Sequence, residues 1–215
     1  WFPIPIIKAT IFKQFCGGES IEDCDKTIQN LSNHNIKTIL DYSVEGIEDE
    51  TTFDSNVNEA LDAISKATNN LDIPFTVFKV TGFGRFALLE KINAKKDLTE
   101  LEKEEFKRVE TRIDKMCEAS YNANIPVFID AEETWIQDTI DDIALKMMQK
   151  YNTKSTIIYN TAQLYRWDRL EYIKELHQKA KAENFFIGLK LVRGAYIEKE
   201  RDRAIEKGYS SPIQP

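Results

Sequence analysis

GLKLVRGAYIEKERDRA, residues Gly188 to Ala204, joins two patterns that no single element satisfies. Its apolar opening continues from Phe185, Phe186 and Ile187 and reads as a buried strand, whereas Glu198, Lys199, Glu200 and Arg201 begin a charged helical run. Between the two stand Lys190, Arg193, Gly194 and Tyr196. A buried strand that ends in two cations and a glycine and passes at once into a helix is a βα junction with polar groups where it turns.

The same junction recurs along the chain. IKTILDYS (Ile36 to Ser43), FTVFKVTGFG (Phe75 to Gly84), IPVFIDAEE (Ile125 to Glu133) and STIIYNTAQ (Ser155 to Gln163) are further strand candidates, and FFIGLKLVRGA (Phe185 to Ala195) is the fifth. Amphipathic segments separate them, with Val57, Leu61 and Ile64 on one helical face and Ile143, Ala144, Met147 and Met148 on another. Parallel neighbours need long crossovers, so the alternation requires a mainly parallel sheet covered by helices. The fold class is α/β.

Expected strand ends at Asp41, Lys79, Asp130, Asn160 and Lys190 give a repeat of about 30 residues with one longer interval. That interval, Arg85 to Ala123, reads as a loop and a second helix capped by Thr99 ahead of Glu102, a charged and solvated insertion. Ser20 is expected to cap a first helix with Ile21, Cys24, Ile28 and Leu31 on one side, within a helical lead-in over residues 1–35.

Every strand end is polar: Asp41 with Tyr42 and Glu45, Lys79 with Thr81, Asp130 with Glu132 and Glu133, Asn160 with Thr161 and Gln163, Lys190 with Arg193. In a parallel α/β fold these ends share the side on which ligands bind. Helix N-caps are the alternative, structural reading of Asp41 and Asp130. An inward-facing Lys79 must find a carboxylate, an anion or water. Of the adjacent Glu132 and Glu133 only one can face inwards, which leaves the other to solvent or a neighbouring helix. Units of this length fit an open flavodoxin-like sheet or the first part of a (β/α)8 barrel, and neither GxGxxG after the first strand nor GxxxxGK[ST] is present.

The chain has 215 residues, 42% hydrophobic and 30% charged, enough for one sizeable core, and a formal net charge of -7 with cations interleaved among anions argues against nucleic acid. Cys16, Cys24 and Cys117 are an odd number without metal-ligand spacing, and His34 and His177 are far apart, so a reduced intracellular protein without a metal site is expected. No apolar run is long enough to span a bilayer, and the opening WFPIPIIKATIFKQF lacks the order of a signal peptide.

Together LKLVRGAYIEKERDRA, FIDAEETWIQDTIDD, YNTAQLYRWDRL, LDYSVEG and FKVTGFGRFALLEKI resemble proline dehydrogenase of the stand-alone type, from about Ile7 onward. The resemblance implies a (β/α)8 TIM-type barrel holding FAD at its C-terminal face, oxidation of L-proline to Δ1-pyrroline-5-carboxylate, and a quinone at an inner membrane face as electron acceptor. It assigns Lys190 to the cation beside the reactive flavin nitrogen and Val192 to packing beside the ring. Arg193, Gly194 and Tyr196 line the ribityl and pyrophosphate path, and Gln163 meets the pyrimidine edge. Lys79, Asp130 and Ala131 line the proline pocket, Lys79, Asp130 and Lys190 forming the catalytic set.

Ala162 stands where the family more often has an aromatic residue, and the family's YLxRRAxEN pattern, which holds the proline carboxylate, does not occur. The whole chain, residues 1–215, is expected to be the lead-in and about five βα units (36–215) of one barrel domain, too incomplete to work alone. A cytoplasmic or inner-membrane-associated location, mitochondrial in a eukaryote, goes with the resemblance. A catalytically dead remnant acting as an interaction subunit, or a binding module for another small anion, is the competing expectation. Flavin colour separates them from the enzyme.

Overall fold

The computed structural model of the chain describes residues 10, 12, 16–41 and 48–214. Tyr42, Glu45 and most of the lead-in before residue 16 lie outside the described residues. All five expected strands form, each shorter than the apolar run that announced it: β1 (Ile39–Leu40), β2 (Phe75–Phe78), β3 (Val127–Ile129), β4 (Ile158–Gln163) and β5 (Leu189–Val192). They pair in parallel in the strict order β1-β2-β3-β4-β5. A flavodoxin-like sheet places its first strand between the second and third, whereas a barrel wall is built in chain order. The open-sheet alternative is thereby excluded.

The two sheet faces differ as a barrel wall requires. Outward, Phe78, Val127, Ile129 and Ile158 are buried against Ile136, Ile140, Ile143 and Ala144 of α5 (Thr134–Tyr151). Complete burial of each isoleucine contributes about 1.5–3 kcal/mol. Inward, Phe75 stacks on Phe128 with centroids 4.6 Å apart, and Tyr159 meets both rings edge-on. These three rings fill the interior below the rim. Gly188 lies beside this cluster because a β-carbon there would stand 2.3 Å from the Ile158 carbonyl oxygen.

Two expectations need correction. Among the described residues the first α-helix, α1 (Asp25–Ser32), begins five residues after Ser20, and Cys24 at its N-cap position makes no side-chain cap. Ser20 Oγ accepts from the Asp23 amide at 3.3 Å and so closes a turn ahead of the helix, the local alternative that short polar side chains offer the backbone. The long interval is also more than a solvated insertion. It forms α3 (Phe86–Asn93) and α4 (Glu100–Ala123), the latter opened by the expected Thr99/Glu102 capping box. Val109, Ile113, Met116 and Cys117 make a stripe on α4 that is fully buried in the main core. Dense charge on the remaining faces masked that stripe.

α2 (Glu50–Ala67) buries Val57 and Ile64 as expected, and α6 (Arg169–Glu183) follows β4. α7 (Ile197–Lys207) crosses the start of α5: the fully buried Glu200 accepts from the Thr134 amide at 2.7 Å and its hydroxyl at 2.6 Å. Residues 212–214 then return along the segment after β4, where the Gln214 amide donates to the Tyr165 carbonyl at 2.7 Å. The turn between β5 and α7 is thus held from both sides.

Candidate functional site

Barrel register decides which strand-end residues meet. Phe78 pairs with Ile129, Ile129 with Asn160, and Thr161 with Lys190. Advancing one residue along each strand puts Lys79, Asp130, Thr161 and Lys190 in one row across four neighbours, all facing inward. Lys190 is therefore not a strand end. It is the second residue of β5, which continues to Val192, just as β4 continues to Gln163. Asn160 is buried on the outward face instead, donating to Asp141 at 2.8 Å and to the Tyr172 hydroxyl at 2.9 Å. Asp41 follows Leu40, which pairs with Thr76, so it stands level with Val77 and below that row.

A cavity of about 370 Å³ opens at this rim. Its lining contains Lys79, Asp130, Ala131, Gln163, Lys190, Val192, Arg193, Gly194 and Tyr196, together with Thr161 and Ala195. All the residues singled out in the sequence for substrate or cofactor are thus brought together. The Lys190 ammonium donates to Asp130 Oδ1 and lies 5.2 Å from the centre of the Phe128 ring. Thr161 donates to the Ile129 carbonyl at 2.9 Å and approaches Asp130 at 3.4 Å. The row carries charges of both signs over an aromatic floor.

Gln163 is 2% exposed and donates through Nε2 to the Glu132 carbonyl at 3.0 Å, while its Oε1 is buried without a hydrogen-bond partner among the described residues. Arg193 is exposed at the mouth. Gly194 has φ +132°, and a β-carbon on it would overlap the Tyr165 ring at 1.2 Å. That overlap makes glycine obligatory there and brings the turn's backbone flat against the ring. Ala162 is fully buried.

Both glutamates after Asp130 are buried, at 3% and 4% exposure. Glu132 accepts from the Thr81 amide at 3.1 Å and the Thr81 hydroxyl at 2.5 Å, and Glu133 pairs with Lys199 of α7, the neighbouring-helix role expected for one of them. Burial pushes the Glu132 carboxyl up to about 7, opposed by the Thr81 hydrogen bonds and Lys79 and reinforced by Glu133.

Sequence reasoning missed the polar network beneath the rim. Asp141 of α5 accepts from Gln137 at 2.8 Å, from Asn160 and from Arg169 at 2.8 Å, and Arg169 and Arg166 share Asp168. The signal available was a polar residue on the apolar stripe of α5: Gln137 and Asp141 fall among Ile136, Ile140 and Ala144. Glu200 likewise looked like one more surface charge. His177 is exposed on α6 and borders a separate open cavity of about 470 Å³ at the opposite end of the sheet, and no metal-competent cluster occurs among the described residues.

A family model described as proline dehydrogenase matches residues 24–215. The carbapenem antibiotics biosynthesis protein CarD of Pectobacterium carotovorum is 34% identical over 187 residues, covering 87% of this chain and 50% of that protein. The mitochondrial proline dehydrogenase 1 of Dictyostelium discoideum is 28% identical, covering 97% of this chain and 43% of that protein. The chain therefore spans about half the length of these relatives or less. Proline utilization A of Bdellovibrio bacteriovorus, inactivated by N-propargylglycine, superimposes with a TM-score of 0.80 over 97% of this chain and 23% of its own, at 16% identity, and shares the fold. With the strands in barrel order, the cavity at their C-terminal rim and the match over residues 24–215, the chain belongs to the proline dehydrogenase family.

Proposed function

We propose that the protein carrying this chain oxidises L-proline to Δ1-pyrroline-5-carboxylate with FAD as cofactor, and that residues 1–215 form the lead-in and first five βα units of its barrel domain. The observation that carries this reading is the convergence of Lys79, Asp130, Ala131, Gln163, Lys190, Val192, Arg193, Gly194 and Tyr196 on one cavity. Family membership gives that convergence its chemical meaning.

The residues present fit a flavin. The unpartnered Gln163 Oε1 is an acceptor awaiting an N–H donor, and the pyrimidine edge of an isoalloxazine supplies one. Lys190 and Arg193 supply cations in the cavity lining; Lys190 would meet the ring and Arg193, at the mouth, the phosphates. When bound there, FAD supplies the acceptor for the hydride that leaves the proline ring carbon next to nitrogen. Lys190 favours charge arriving on the ring, and Asp130 holds Lys190 in place. Lys79 and Ala131 border the space beside that row, where the flat zwitterion must lie for the hydride to transfer.

Electrons then pass to a quinone at a membrane face, where the protein sits peripherally. No described helix is long and apolar enough to cross a bilayer. Relatives from Dictyostelium, Drosophila and human are named mitochondrial, which supports that location where the source cell is eukaryotic. The chain by itself is expected to hold FAD weakly and to leave proline unoxidised, because binding energy in such sites is spread over a whole barrel rim.

The test is to purify the 215-residue chain and the whole native reading frame in parallel, read flavin absorbance, and follow proline-dependent dye reduction. Flavin and activity in the whole protein are expected. A whole protein that is colourless with added FAD, or that turns over no proline, overturns the proposal.

A further inference from the structure

We infer that Glu132 is a positioning residue: a buried strut that locks the turn carrying Lys79 to the strand end carrying Gln163. The inference deepens the proposed function and rests on that reading for its catalytic consequence. The connection is physical at three points. Its carboxylate accepts both donors of Thr81, the amide at 3.1 Å and the hydroxyl at 2.5 Å, in the Val80–Gly82 turn immediately after Lys79. Its carbonyl accepts from Gln163 Nε2 at 3.0 Å, and its amide donates to Gln137 Oε1 of α5 at 2.8 Å. One residue thus touches β2's exit, β4's end and the helix behind β3.

Asn56 of α2 also holds this turn, donating to the Gly82 carbonyl at 2.8 Å, but among the described residues both Thr81 donors go to Glu132. The pairing of β2 with β3 ends at Phe78 and Ile129, followed by the Asp130 amide on the Phe78 carbonyl at 2.9 Å. Beyond that point the backbone leaves the sheet into a single 3-10 turn, whose own bonds fix only three residues. A lysine at that exit keeps its direction only if the turn is anchored, and the Glu132 carboxylate supplies the anchor nearest Lys79, at Thr81, from a site 3% exposed. A carboxylate is a costly way to fill buried space, so its two donors must repay its removal from water. Glutamine can copy most of this geometry, accepting from the Thr81 amide through Oε1 and donating to the hydroxyl through Nε2.

The experiment compares Glu132→Ala, Glu132→Gln, Thr81→Val and the Glu132→Ala/Thr81→Val pair. Hydrogen exchange of the segment around Thr81 and proline kinetics are both read in the whole enzyme. Glu132→Ala is expected to speed exchange of the Thr81 amide by about tenfold or more and to raise the KM for proline by about tenfold, with a smaller change in kcat. Thr81→Val reproduces part of the effect, the pair adds little to Glu132→Ala alone, and Glu132→Gln restores most of both readouts. Unchanged Thr81 exchange in Glu132→Ala, or full additivity of the two single changes, overturns the inference. Should Glu132→Ala fail to fold, Glu132→Gln and Thr81→Val decide it: loss in Thr81→Val with retention in Glu132→Gln supports the strut, and no loss in Thr81→Val refutes it. A wild-type enzyme without proline oxidation defeats the functional reading, and the exchange measurement then still decides whether the strut exists.

Discussion

Replacing Lys190 by Met removes one positive charge from the centre of the rim and keeps the length of the side chain. The ammonium is bonded to Asp130, lies 5.2 Å from the centre of the Phe128 ring, and belongs to a pair whose side chains are 28% and 21% exposed. Partial solvent contact reduces that pair to about 1 kcal/mol, and the ring adds about 0.5 kcal/mol. The thioether stem keeps most of the packing. A loss of about 1.5 kcal/mol corresponds to a fall of roughly 3–6 °C in the melting temperature for a chain of this size. In a cycle with Asp130→Asn, a coupling of about 1 kcal/mol is expected.

If the proposed function holds, the same cation would stabilise the reduced, negatively charged flavin ring, by about 1.5–3 kcal/mol for one charge-assisted hydrogen bond. Its loss lowers the two-electron potential by roughly 30–60 mV and slows reduction by proline about tenfold or more. Asp130 left without its cation pushes the potential the same way, so Lys190→Met/Asp130→Asn should recover part of the loss. Spectroelectrochemistry and stopped-flow reduction measure both quantities. An unchanged potential and reductive rate, with no coupling to Asp130, would refute the assignment of Lys190.

Breaking the buried pair beneath the rim by Arg169→Met strands Asp141, whose side chain is only 8% exposed, and should cost about 3 kcal/mol in urea unfolding; a loss under about 1 kcal/mol would show that Gln137 and Asn160 suffice. Gly194→Ala drives a β-carbon into the Tyr165 ring at a backbone angle disfavoured for other residues, so it should destabilise by about 3 kcal/mol or more, with Tyr165→Leu recovering part of that loss in the thermal melt. Asp168, although burial opposes it, is held down to about 2 from 3.8 by Arg169 and Arg166. Its folded pKa is the lower one, so its stabilisation is complete above about pH 4 and is lost as pH falls towards 2; Asp168→Asn should flatten that part of the acid-unfolding curve, and an unaltered curve would show the pairs to be inert.

The alternation of apolar runs and amphipathic segments determined the α/β class from sequence alone, because period 2 and period 3.6 cannot be satisfied by one conformation. Local chemistry was legible at several places where the partners are close in sequence. The Thr99/Glu102 capping box and the helical stripe from Ile143 to Met148 formed as read. The residues of the rim cavity were legible through their polar identity at strand ends and their family resemblance.

Tertiary structure decided what depends on register and distance. That Lys79, Asp130, Thr161 and Lys190 share one row while Asn160 turns away follows from how neighbouring strands are offset, and no local pattern encodes that offset. Serine 20 could cap a helix or close a turn with equal local merit, and the fold chose the turn. The buried roles of Glu132 and Glu200 stayed invisible because their partners stand 51 and 66 residues away. A charged letter reads as surface until the fold brings its donors to it.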